Sequence, residues 1–236
     1  MTELVVVRHG QASFRSANYD QLSELGWRQS RLLGEWLAVM HGDTFDAVHA
    51  GAMVRHRETG AAIREAYVAR GLALPEVEID EGFNEFDHQA VIRRYAAGVP
   101  EHPAVRAMAA GRHADARDMF DLLRAALVAW ASGEIVDGVP EPWSVFQARV
   151  RGAAQRLSQA CAGHGRVLVL TSGGVMAQLA QLALDVPNER AVQLNLSIRN
   201  SALAEFHAGD DGIKLASWNA VPHLAAAEHR ELWTHY

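Results

Sequence analysis

Along the chain the spacing of apolar positions changes repeatedly, and each change marks an element. Residues 4–7 are continuously apolar and mostly β-branched, and the run stops at Arg8. That pattern predicts a short strand buried on both faces. After a loop carrying Gly10, Ser13, Ser16 and Asn18, apolar residues recur at helical spacing: Leu25, Leu32, Leu33, Trp36, Leu37 and Met40. Ser23 stands where the N-cap of that helix belongs. A second strand is predicted at 45–49, a helix over about 53–69 with Ile63, Ala66 and Tyr67 on one face, and a third strand at 76–79. Residues 166–170 form the clearest late strand. It runs into Thr171-Ser172-Gly173-Gly174 and a helix bearing Val175, Leu179 and Leu182. Two last strands, 202–206 and 214–218, flank Gly209-Asp210-Asp211-Gly212, a hairpin signal.

Strands alternating with helices predict an α/β fold of three layers, a largely parallel central sheet flanked by helices. Residues 87–160 break the alternation. They hold helical patterns at 116–131 and 143–162, punctuated by Pro100, Pro103, Pro140 and Pro142, and almost no strand. This stretch reads as a helical insertion over one end of the sheet, leaving 1–236 a single domain. No internal repeat or low-complexity tract interrupts it.

Composition narrows the class. About half of the 236 residues are apolar (49%) and 21% are charged, which excludes a disordered chain. The net charge of -6, without long runs of like charge, gives no footprint for nucleic acid. No stretch approaches the ~20 apolar residues of a membrane span, and the start has no signal-peptide pattern. With one cysteine, Cys161, no internal disulfide can form, so a cytoplasmic protein is expected. Cys161 falls late in a helical pattern and reads as a packed helix residue rather than a catalytic thiol. The twelve histidines show no metal-binding spacing, and the even spacing of His223, His229 and His235 is treated as chance. Trp36 and Trp130 fall in apolar helical patterns and are expected in the core.

The candidate chemistry begins at Arg8-His9-Gly10, directly after the first strand. Ligands of open α/β sheets bind beyond the carboxyl ends of the strands. Arginine carries a permanent charge on a planar fork that matches two phosphate oxygens. Neutral imidazole can attack phosphorus through a ring nitrogen near pH 7, and Gly10 permits close backbone approach.

The segment VVVRHGQA, followed by LSELGWRQSRLLGEWL, resembles the histidine phosphatase superfamily, also called phosphoglycerate mutase-like. Leu22, Ser23, Gly26 and Gln29 match its Leu-Ser/Thr-x-x-Gly-x-x-Gln helix start. Met53 to Thr59 is similar to its Leu-x-Arg-x-x-x-Thr element, and Phe83-Asn84-Glu85-Phe86-Asp87 to its Leu-Asn-Glu-Phe-Asp element. Residues 167–174 correspond to the strand that normally ends in His-Gly-Gly; Asn200-Ser201 and residues 219–224 look like late elements. The resemblance implies the phosphoglycerate mutase-like sandwich, with the insertion over the active-site end. It implies His9 as nucleophile, Arg8 and Arg55 as phosphate arginines, and Glu85 as proton donor. Arg57 competes with Arg55, and Glu81 and Asp87 with Glu85. The implied ligand is a small phosphorylated substrate or inorganic phosphate, held without cofactor or metal.

One element departs from the family. Ser172 stands where the second histidine belongs, and serine donates a hydrogen bond but carries no charge. Losing a charge-stabilising group of this kind costs roughly 100- to 1000-fold in rate. The helix starting near Val175 is expected to offset part of this through its first amides, near Gly173 and Gly174. Ser172, Gly173, Gln11 and Asn18 complete the expected phosphate and substrate contacts. His223 is a candidate supporting residue, and Arg93-Arg94 read as an exposed helix pair. The loop Gln11-Ala12-Ser13-Phe14-Arg15 departs from the Glu-Ser-x-x-Asn form of the family's mutases. The expectation is therefore a metal-independent phosphomonoesterase acting through phosphohistidine. The alternative is a weakened homologue that binds a phosphorylated ligand or a protein partner.

Overall fold

The computed structural model describes residues 1–13, 20–210 and 212–235. Among them six strands form one sheet: β1 (Thr2–Arg8), β2 (Ala47–Ala50), β3 (Val77–Ile79), β4 (Arg166–Thr171), β5 (Leu203–Gly209) and β6 (Gly212–Ala220), in the order β3-β2-β4-β1-β5-β6. The first four of that order run parallel. The hairpin paired at Gly209 and Gly212 adds an antiparallel edge, so the sheet is mixed.

The alternation of β1 explains the three layers. Val5 and Val7 face one core with Leu33, Leu37, Ile63 and Tyr67, which come from α1 (Glu24–His41) and α2 (Val54–Ala69). Leu4 and Val6 face the other core. There they meet α5 (Ala116–Ser132), α6 (Trp143–Ala160), α7 (Gly173–Leu184) and α8 (Asn188–Ser197). Two shorter helices, α3 (His88–Ala96) and α4 (Pro103–Ala109), precede α5. The helices between β3 and β4 thus pack into the same core as the sheet. No helix among the described residues is long and apolar enough to cross a membrane.

Ser23 caps α1, its hydroxyl accepting from the Gly26 amide at 3.0 Å. The buried face of α1 differs from the apolar stripe in the sequence. It comprises Gly26, Gln29, Ser30, Leu33, Gly34, Leu37 and Ala38, while Met40 is 60% exposed and Trp36 is only partly buried. The cause is close helix packing: a Cβ on Gly34 would lie 2.7 Å from Ile63 Cα. Small residues mark that contact, and hydrophobicity alone misses it. Trp130, by contrast, is fully buried.

The α5–α6 pair anchors the segment after β3. Phe86 stacks on Trp130 at 4.5 Å between centroids and meets Phe146 at 5.2 Å. From α6, Arg149 donates to the carbonyls of Gly82 (3.0 Å) and Asn84 (2.9 Å) and pairs with Glu141 at 2.6 Å.

Candidate active site

The site forms where β1 and β4 end side by side. The His9 amide donates to the Thr171 carbonyl at 2.9 Å, and the His9 carbonyl accepts from the Ser201 amide at 3.1 Å. The next residue turns the chain hard against α1: a Cβ on Gly10 would lie 2.3 Å from the Gly26 carbonyl oxygen. Glycine is required there, because that neighbour is backbone.

The His9 ring has one defined tautomer. Nδ1 lies 2.6 Å from the Gly10 carbonyl, which can only accept, so Nδ1 carries the proton. Nε2 is left with its lone pair and accepts from Arg55 Nε at 3.1 Å. Burial, then Arg55, Arg8 and His56, hold the imidazole well below its usual pKa, against the opposing Gly10 carbonyl. His9 therefore stays neutral at neutral pH.

Arg55, in the first turn of α2, is buried and fixed by Asp20, whose Oδ1 lies 2.7 Å from its Nη1. The other Asp20 oxygen accepts from the Val54 amide at 2.8 Å, so one carboxylate sets both helix and side chain. Arg8 donates to the Ile198 carbonyl. Glu85 accepts from the Gly174 amide at 2.9 Å and the Phe86 amide at 3.2 Å. Burial raises its pKa, opposed by Gly174, Arg55, Phe86 and Arg8. Arg8, His9, Arg55 and Glu85 together line a cavity of about 430 Å³. The competing residues do not: Arg57, Glu81 and Asp87 are exposed, and Asp87 caps α3.

The sequence profile of the histidine phosphatase superfamily (branch 1) matches residues 4–221, nearly the whole chain. The chain belongs to the histidine phosphatase superfamily. Solved structures similar to it include a phosphoglycerate mutase from Bacillus anthracis, with 20% identity, TM-score 0.64, and 94% of each chain covered. A mycobacterial glucosyl-3-phosphoglycerate phosphatase has 20% identity and TM-score 0.62 over 93% of this chain and 100% of that one. A phosphoserine phosphatase mutant from Entamoeba histolytica, solved with phosphoserine, has 19% identity and TM-score 0.62 over 95% and 100%. At these identities the likeness shows the fold. Among curated proteins no sequence match was found.

In this member of the superfamily the place of the second histidine has an unexpected neighbour. Ser172 is fully buried, makes no cap bond to α7, and lies 2.7 Å from Nε2 of His56. Burial and then Arg55 push His56 down to about 3, so the pair is neutral. The His56 ring centroid is 5.8 Å from that of His9. Neither His56 nor Ser172 is among the described residues lining the cavity. The expected amide donors are also partly engaged, since Gly174 serves Glu85. A Cβ on Gly173 would lie 2.7 Å from Asn195 Oδ1, which seats that residue between Asn195 and Arg8.

Gln11 bonds instead to α1: its amide donates to Gln29 Oε1 at 2.8 Å and its Oε1 accepts from Ser23 at 2.9 Å. Asn18 lies outside the described residues. His223 Nε2 lies 2.8 Å from Ser201 Oγ, one residue link behind the His9 carbonyl. Cys161 is buried at the far end of β1, where its carbonyl accepts from Thr2, and burial raises its thiol. Sequence reasoning missed His56, His88 and Asn195. His88 and Asn195 line the cavity. No spacing rule marks any of the three.

Proposed function

We propose that this protein is a metal-independent phosphomonoesterase that acts through a phosphohistidine on a small phosphorylated metabolite. The observation that carries this reading is the His9 ring, with Nδ1 bound to Gly10 and Nε2 turned toward Arg55 beside a protonatable Glu85. In the first step Nε2 attacks phosphorus, the N–P bond forms and the ester P–O bond breaks. Glu85 passes its proton to the leaving alkoxide. Arg8 and Arg55 hold the equatorial oxygens and supply the positive charge that a metal would otherwise bring. In the second step water attacks the phosphohistidine, Glu85 takes its proton, and inorganic phosphate leaves with His9 and Glu85 restored. The single buried cysteine accords with a cytoplasmic setting.

A second reading, a weakened homologue that binds phosphorylated ligands, has its support in Ser172 and the neutral His56. An aryl phosphate assay with excess chelator, on native protein and His9→Ala, separates the two. Chelator-resistant turnover that His9→Ala abolishes supports the phosphatase. Turnover that survives in His9→Ala overturns the phosphohistidine route. Absence of both turnover and trapped phosphohistidine across a panel of phosphorylated metabolites favours the binding protein.

A further inference from the structure

We propose that the substrate is the phosphate monoester of an apolar alcohol, with its hydrocarbon part seated on one face of α5. The inference rests on the phosphomonoesterase reading and names its substrate class. The lining of the cavity falls into two chemically distinct groups. One comprises Arg8, His9, Arg55 and Glu85. The other includes Ala116, Met119, Phe120, Leu123 and Leu127, which stand at i, i+3, i+4, i+7 and i+11 along α5 and so share one face. That face runs about 16 Å, at 1.5 Å per residue.

Phe86, Ile92 and Leu196 close the same space from the turn after β3, from α3 and from α8. Phe120 keeps 38% of its surface exposed beside this wall. An apolar wall continuous with a phosphate-gripping end matches a ligand with an anionic head and an apolar body. Among the described lining residues, the polar side chains beside the apolar group are His88 and Asn195. Burial and Arg55 push His88 down to about 4, so it brings no charge. Among the described residues lining the cavity, the arginines are Arg8 and Arg55, both committed to the reacting phosphoryl group. A second phosphate or a carboxylate on the substrate would meet leucine and phenylalanine there, at the cost of its hydration.

The test is a series of n-alkyl monophosphates from ethyl to octyl, beside glycerol 3-phosphate and glucose 6-phosphate, assayed on the whole chain. Burial of each methylene is expected to raise kcat/KM about two- to fourfold until the α5 face is filled. The hexyl ester then exceeds glycerol 3-phosphate by more than about tenfold. A flat or falling series, or preference for the polar esters, overturns the inference while leaving the phosphatase intact. Phe120→Asp, at a partly exposed position, is expected to lower the hexyl ester about tenfold more than the ethyl ester; equal losses count against the proposal. If no ester is turned over and no phosphohistidine is trapped, the phosphatase reading has failed instead. The substrate inference is then judged by calorimetric titration with n-alkylphosphonates: affinity rising with chain length supports it, and constant affinity overturns it.

Discussion

Nε2 of His56 lies 2.7 Å from the hydroxyl of Ser172; both side chains are fully buried, and the His56 ring centroid is 5.8 Å from that of His9. The volume that a histidine at 172 would need is therefore occupied from the other side, by a residue of α2. Ser172→His alone overpacks the site and is expected to cost about 1–3 kcal/mol. Adding His56→Ala should recover much of that loss. The double variant is expected to turn over aryl phosphate about a hundredfold faster than His56→Ala alone. Thermal unfolding and single-substrate kinetics on the three variants check this; a stable, faster Ser172→His single variant would contradict it.

On the proposed mechanism, Glu85 governs the alkaline side of the pH profile. Burial raises its pKa, so the protonated acid persists above the usual carboxylate range and is lost as pH rises through that raised value. His9 is held well below its usual value and remains neutral over the same window. For an alkyl ester, kcat/KM is expected to hold while Glu85 is protonated and to fall as pH rises past its raised pKa. Glu85→Gln should slow alkyl esters about 100- to 10,000-fold, and slow p-nitrophenyl phosphate far less, since its leaving group needs no proton. Equal losses on both esters would remove Glu85 from the acid role.

Arg149 ties α6 to the turn that carries Glu85, through the carbonyls of Gly82 and Asn84 and an ion pair with Glu141. Arg149→Met is expected to lower stability by about 1–3 kcal/mol. It should reduce turnover of alkyl esters more than of aryl esters, because the acid is displaced and the nucleophile is not. Urea unfolding and the ratio of the two kcat values measure both effects.

Acid should destabilise this protein early. His56 and His223 are pushed down to about 3, His88 to about 4, and His9 well below its usual value, burial being the largest cause in each. Between those values and the unfolded value of about 6.5, the unfolded chain binds protons that the folded one does not. Stability is therefore full above about pH 6.5 and falls as pH drops through that value, by up to about 1.4 kcal/mol per pH unit for each such histidine. Urea unfolding at pH 7.5 and 5.5 should show the loss, and His223→Gln should reduce its slope. An unchanged midpoint between the two pH values would show that these histidines protonate in the folded state.

The line between sequence and structure runs through particular residues. The continuous apolar run at 4–7, the cap at Ser23 and the late hairpin were legible because each depends on neighbours within a few positions. That Arg8, His9, Arg55 and Glu85 would meet at one cavity was legible because each sits in a short local motif. The buried face of α1 was not, because Gly34 and Ser30 pack by being small.

The sequence by itself determined the six strands and the longer helices, the family, and the residue types available for phosphate chemistry; these are set by local pattern and by order along the chain. Only the tertiary structure decided that Arg55 Nε faces His9 Nε2, that Gly174 serves Glu85, that His56 fills the space beside Ser172, and that an apolar face of α5 walls the cavity. Each of these joins elements 46 to 116 residues apart or layers packed across the sheet. Such contacts follow from how the ends of β1 and β4 meet the helices, which no spacing along the chain encodes.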